Sequence, residues 1–129
     1  MNNHQPAAII PFLTVHDGKK AVDFYKQAFA ANETSRYDLP GDKISAVLDI
    51  AGATIYVGDE EPEFGNLSPA KDAPVPVRIV LKTMEADIFF ERAIAAGAVA
   101  ICPMTTEADW RMGKLKDPFG HIWELGYEL

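Results

Sequence analysis

One order of elements can be read twice along this chain, and a repeat of that kind narrows the fold before any single motif does. From Ala8 to Val15 runs an apolar, β-branched stretch. Asp17 follows as a helix cap, and Gly18 to Ala31 carries Val22, Tyr25 and Phe29 three and four residues apart, the spacing of one helical face. Glu33 to Leu39, the alternating Ile44, Ala46, Leu48 and Ile50, and Ala53 to Val57 then read as short strands, divided by turns at Pro40-Gly41-Asp42 and Ala51-Gly52. After a loop rich in acid and proline, Gly58 to Asp72, the order restarts. A strand spans Val75 to Leu81, and Thr83 caps a helix from Met84 to Ala96 with Phe89, Phe90, Ala93 and Ile94 on its buried side. Gly97 stops that helix, and strands follow over Val99 to Met104, Arg111 to Lys116 and His121 to Leu129.

Each half is therefore βαβββ, covering about 8–58 and 74–129 within a single domain, 1–129. An offset of 68 residues places Asp49 on Asp117, Gly52 on Gly120, Val57 on Leu125 and Gly58 on Gly126. The repeated Asp-x-x-Gly has a local reason: the acid can bond turn backbone, and glycine tolerates the positive φ of a tight hairpin.

Composition sets the outer limits. With 129 residues, 48% of them hydrophobic, the chain can bury a core without metal or disulfide. Its net charge of −7 argues against nucleic acid and favours a cationic or neutral ligand. The single Cys102 excludes an internal disulfide and fits a reducing compartment. No apolar run approaches the roughly 18 residues of a membrane span, and the start Met1-Asn2-Asn3-His4-Gln5-Pro6 lacks signal-peptide character, so a cytoplasmic protein is expected.

Two residue groups resemble the vicinal oxygen chelate superfamily of glyoxalase I, bleomycin-resistance proteins and extradiol dioxygenases. They are Pro11-Phe12-Leu13-Thr14-Val15 leading into Ala21-Val22-Asp23-Phe24-Tyr25, and Trp110-Arg111-Met112-Gly113 leading into Asp117-Pro118-Phe119-Gly120-His121-Ile122-Trp123-Glu124-Leu125. The second group is similar to the PhnB-like branch. The resemblance spans about residues 8–128 and implies an α+β fold: tandem βαβββ modules forming a curved eight-stranded mixed sheet, with helices on its outer face and homodimers common.

Enzymes of that family hold a divalent metal with four inward side chains, one from the first and one from the last strand of each half. The resemblance carries those positions onto Ile10, Tyr56, Arg78 and Glu124. Only Glu124 suits a divalent ion: isoleucine has no donor atom, arginine is a permanent cation, and a tyrosine phenol ligates poorly near neutral pH. No metal and no cofactor are expected, and Arg78 with Glu124 stands where an ion and its counter-charge would be. Strand alternation sends Ile10, Phe12 and Thr14 to the same side, and Leu13, Val15, Trp123 and Leu125 toward the helices.

The remaining chemistry-bearing residues divide between functional and structural readings. His121 is an odd number of residues from Glu124, His16 lies roughly 20 Å beyond Ile10 along an extended strand, and His4 belongs to a polar leader, so turn or surface roles are expected for all three. Trp110, in the loop before a strand, either lids a cavity or packs at a sheet edge. Phe12 and Tyr56 line a pocket or fill it as core. The run Asp59-Glu60-Glu61-Pro62-Glu63 reads as a solvated segment, with Phe64 at a pocket mouth as the alternative. Cys102, beside Pro103 in an apolar strand, reads as a buried inert thiol.

Three functions compete. The first is a metal-independent protein that binds or sequesters a small organic molecule, cationic or aromatic, with Ile10, Phe12, Tyr56, Arg78, Trp110 and Glu124 around it. The second is an enzyme, either a lyase or isomerase with Glu124 as base or a metal-dependent glyoxalase- or dioxygenase-like protein. The third is an interaction module whose hollow is plugged by its own side chains.

Overall fold

The computed structural model describes residues 5–129, so His4 lies outside the described residues. The elements follow the repeated order: β1 (Phe12–Val15), α1 (Gly18–Phe29), β2 (Asn32–Leu39), β3 (Lys43–Ile50) and β4 (Ala53–Asp59), then a 3-10 turn at Pro62–Phe64. The second half is β5 (Arg78–Lys82), α2 (Ala86–Ala95), β6 (Val99–Glu107), β7 (Trp110–Lys116) and β8 (Ile122–Glu128).

Local chemistry explains where the elements start and stop. Asp17 caps α1 by accepting from the Lys20 N–H at 3.1 Å, and Ala30 leaves the helix in the left-handed region at φ 52°. In α2 the Thr83 hydroxyl accepts from the Glu85 N–H, so Thr83 tightens the entry turn, and the helix begins at Ala86 and not at Met84. Ile94 turns to the surface while Ala86, Phe89, Phe90 and Ala93 face inward. β5 starts at Arg78 instead of Val75, because Pro74 and Pro76 have no N–H to give a ladder. β1 is likewise shorter than expected, and Ile10 precedes it, separated by Pro11, whose carbonyl accepts from the Tyr56 N–H at 2.9 Å.

The α+β arrangement holds, with the eight strands hydrogen-bonded as two four-stranded mixed sheets, β1-β4-β3-β2 and β5-β8-β7-β6. The 68-residue offset survives in the register: Phe12 pairs with Tyr56 and Val80 with Glu124, Leu13 with Val57 and Leu81 with Leu125. The third strand breaks it by one residue, since Ala46 faces Val57 whereas Gly113, not Lys114, faces Leu125. Side chains alternate across a strand, so this slip decides which β7 residues are covered. Leu115 is buried, and Lys114 and Lys116 turn away from the helices.

The core lies where the helices cover one face of each sheet. Leu13, Val15, Trp123 and Leu125 are buried there as alternation requires. Phe29 joins the halves, its ring 4.7 Å from that of Trp123 and 6.1 Å from that of Phe89. Full burial of each such ring contributes about 1.5–3 kcal/mol. Asp117 completes the join. It is only 4% exposed and accepts hydrogen bonds from the Tyr25 hydroxyl of α1, the Trp123 indole N–H and the backbone N–H groups of Phe119 and His121. The turn role expected of Asp117 is therefore correct and incomplete, because its second oxygen also ties α1 to the other half.

Candidate functional site

The faces that the helices leave uncovered carry the candidate residues. Cross-strand partners project to the same side of a sheet, so the register of β5, β8 and β7 builds the C-terminal open face in rows. Arg78, Ile122 and Lys116 form one row, Val80, Glu124 and Lys114 the next, and Lys82, Gly126 and Met112 the third. Trp110 stands beyond them, opposite Glu128.

At the centre, Arg78 Nε lies 2.6 Å from Glu124 Oε1, and Lys114 Nζ lies 3.5 Å from the same oxygen. The Glu124 side chain is 11% exposed against 59% for Arg78, so a nearly buried carboxylate is covered by cations that reach solvent. The sequence left open whether Arg78 and Glu124 pair, and the structure brings them into contact. Two hollows open beside it. One of about 250 Å³ is bounded by Cys102, Met112, Lys114 and Glu124, and another of about 410 Å³ by Arg78, Lys114, Lys116, Ile101 and Ile122.

The other expected site residues lie elsewhere. Phe12 and Tyr56 meet edge to face with centroids 5.8 Å apart on the open face of the N-terminal sheet. Trp110 is the first residue of β7 and not part of a loop, because the short turn Ala108-Asp109 lets pairing begin at once. Lys82 Nζ sits 5.4 Å from the centre of its ring, a cation–π contact. Ile10, ahead of β1, stands outside the strand ladder that was to aim it inward.

The donor set does not fit a divalent cation. Glu124 already faces two cations, and among the described residues no group of three His, Cys, Asp or Glu side chains gathers in metal-binding geometry. The His121 Nε2 lies 2.8 Å from the Thr14 carbonyl oxygen and braces the β7–β8 turn against β1. His16 lies at the entry to α1 with its ring 5.2 Å from that of Phe119. Both histidines hold turn positions, as expected.

Two expectations need correction. Cys102 is exposed, because β6 is an edge strand whose register slips on both sides of that residue, and Pro103 interrupts the ladder. The acidic run is more than a solvated segment. Asp59 accepts from the Gly18 and Ile44 N–H groups at 2.8 Å each, and Glu60 accepts from the Ser68 N–H and hydroxyl at 2.9 Å. Those Ser68 hydrogen bonds hold the Glu60 carboxyl below its ordinary range. Phe64 remains exposed.

Lys114 and Lys116 were missed by motif reasoning. Their signal was the alternation Met112, Lys114, Lys116, which puts all three on the open face once β7 is registered against β8, Lys114 opposite Glu124 and the other two in the flanking rows.

The sequence model of the Glyoxalase/Bleomycin resistance protein/Dioxygenase superfamily matches residues 7–125. An uncharacterized protein of Mycobacterium bovis is 38% identical over 130 residues, spanning 96% of this chain and 84% of that protein. The X-ray structure of an Arabidopsis thaliana gene product is 32% identical with a TM-score of 0.70, covering 94% of this chain and 98% of its own. The fosfomycin resistance protein FosX of Listeria monocytogenes, crystallised with Mn(II) and sulfate, matches at a TM-score of 0.70 and 19% identity over 98% of this chain and 95% of its own, a likeness of fold alone.

Proposed function

The chain belongs to the glyoxalase/bleomycin resistance protein/dioxygenase superfamily, and we propose that it is a metal-independent small-molecule-binding protein that sequesters an organic ligand on the open face around Glu124. The observation that carries this reading is the ion pair itself, Arg78 and Lys114 closing on one carboxylate oxygen at 2.6 and 3.5 Å. Two like unit charges about 4 Å apart repel by about 4 kcal/mol at the effective dielectric of a protein surface, and a divalent ion doubles that. An ion seated on Glu124 would have to displace Arg78 or bear that repulsion. An organic guest needs neither.

The second open face supplies the rest of the site. Phe12 and Tyr37 expose apolar rings on the N-terminal sheet, and Val80, Trp110 and Met112 expose apolar surface on the C-terminal one. Exposed large apolar side chains gathered on the two uncovered faces support an interaction role for them. In a homodimer, the N-terminal face of one copy covers the C-terminal face of the other, which puts Phe12 and Tyr56 across from Arg78, Trp110 and Glu124. The free Cys102 and the absence, among the described residues, of any helix long and apolar enough to cross a membrane are compatible with work in the cytoplasm.

A thermal-shift screen of small aromatic metabolites and antibiotics, run in a chelator, tests the reading. A true ligand at 100 times its Kd stabilises by about 2.7 kcal/mol, a readily visible shift. Stabilisation that appears only when a divalent ion is added, and vanishes with chelator, contradicts metal independence.

A further inference from the structure

The binding reading above leaves the ligand's chemistry open, and the charge distribution on the open face narrows it. The chain as a whole carries −7, the basis for expecting a cationic or neutral guest. The rows nearest the hollow have the opposite sign, with Arg78, Lys114 and Lys116 beside the one acid Glu124, while Glu107 and Glu128 lie in the Trp110 row at the far end of the same face. Screening shortens the reach of distant charges to about 8 Å at physiological salt, so a guest at this face responds to the local cations and not to the total.

We propose that the hollow of about 410 Å³ beside the Arg78–Glu124 pair binds the oxyanion group of an organic ligand, a carboxylate or a phosphate, seated between Arg78 and Lys116 over Ile122. This deepens the proposed binding function and rests on it. Three cations line the hollow, the other lining side chains are apolar, and no acid is among them. Its volume lies within the roughly 300–1,000 Å³ usual for small-molecule sites.

The strands set the geometry. Arg78 and Lys116 flank Ile122 on adjacent strands, which at about 4.8 Å per strand puts their backbones about 10 Å apart, with room for one oxyanion between the two side chains. Glu124 acts as a positioning residue. It engages Arg78 through Nε, which leaves the terminal nitrogens of the guanidinium to meet a planar oxyanion in a fixed orientation. Among the described residues Lys116 pairs with no acid, so its charge is available to the guest. Ile101 and Ile122 give the ligand's carbon skeleton an apolar floor.

The test uses the whole chain in chelator, with backbone amide NMR as the readout. The probes are inorganic phosphate, 2-naphthoate and the neutral 2-naphthamide. Phosphate and naphthoate are expected to shift the amide signals of Arg78, Lys116 and Ile122, and naphthoate is expected to bind about tenfold more tightly than naphthamide, the worth of one charge-assisted contact. Lys116→Met, which keeps the apolar stem, should weaken naphthoate about tenfold and leave naphthamide unchanged. Lys20→Met, an exposed lysine on α1, should change neither.

Equal or tighter binding of naphthamide overturns the oxyanion assignment while leaving a metal-free site standing. So does a Lys116→Met variant that holds naphthoate as well as the parent, or the absence of any phosphate or naphthoate response along β5, β7 and β8. Naphthoate binding that requires added Mn²⁺ is a different failure, and it removes the metal-independent reading instead.

Discussion

The two halves of the molecule share strand order, first-pair register and turn chemistry, yet they have taken their open faces in opposite directions. The N-terminal face presents Phe12, Tyr37 and Tyr56, whereas the equivalent rows of the C-terminal face present cations around a carboxylate. The register shows how little was needed. Tyr56 and Glu124 occupy the same place in the ladder, opposite Phe12 and Val80, while a one-residue slip of β7 relative to β3 brings Lys114 opposite Glu124. Positions facing the helices stay apolar in both halves because packing constrains them. The uncovered positions are free to carry chemistry.

The paired turn acids should separate the two halves most. Asp49 accepts one long bond from the Gly52 N–H at 3.4 Å, whereas Asp117 holds the Tyr25 hydroxyl and the Trp123 indole N–H in the core. Asp117→Ala leaves two buried side-chain donors unpaired at about 1–3 kcal/mol each, so a loss of about 3–5 kcal/mol is expected in urea unfolding, against less than about 1 kcal/mol for Asp49→Ala. Similar losses at both sites would show that Asp117 does not join the halves.

The equivalent glycines Gly58 and Gly126 also differ in their surroundings. A methyl at Gly126 would run into the Arg111 carbonyl and the Met112 backbone, while one at Gly58 meets chiefly the exposed Phe12 ring, which can swing aside. Gly126→Ala should cost about 1–3 kcal/mol and Gly58→Ala under about 1 kcal/mol, measured in the same way.

A pH series probes the same join. Burial, and then the adjacent Asp117 charge, raise the Tyr25 hydroxyl well above its ordinary value of 10.0. A folded-state value above the unfolded one means the contribution is intact below about pH 10 and lost as pH rises past it. The parent should therefore lose stability in alkali with a steeper slope than Tyr25→Phe, and identical slopes would refute the assignment.

The smallest effect is at the surface of the second half, where the Arg111 hydrogen bonds hold Asp87 below its ordinary value of 3.8. That contribution is present above about pH 4 and is lost as pH falls further. The Asp87 side chain is 42% exposed, so Asp87→Asn should cost under about 1 kcal/mol and the difference should fade in high salt.

Much of the fold was legible in the sequence because it rests on short-range signals. The capping Asp17, the alternation of Ile44 to Ile50, and the Asp-x-x-Gly turns, with Gly52 at φ +90° and Gly120 at φ +95°, all act within a few residues. What escaped depends on distant packing. Tyr25 and Asp117 are 92 residues apart and meet only because α1 crosses to the other half. Lys116 reveals its neighbours only after β7 is set against β8, and the exposure of Cys102 follows from a register slip that no local pattern announces. Of the four positions that the family resemblance implies, the structure brings Arg78 and Glu124 together, while Tyr56 lies on the N-terminal sheet and Ile10 lies outside the ladder.

In the proposed reading the Glu124 carboxylate is held by side-chain cations and not by a metal ion. The most direct measurement is a crystal soaked in Mn²⁺, with anomalous density read at this face. The expected result is no anomalous peak at Glu124 and an unbroken contact to Arg78 near 2.6 Å. A manganese ion bonded to the Glu124 carboxylate, with Arg78 swung away, would contradict it.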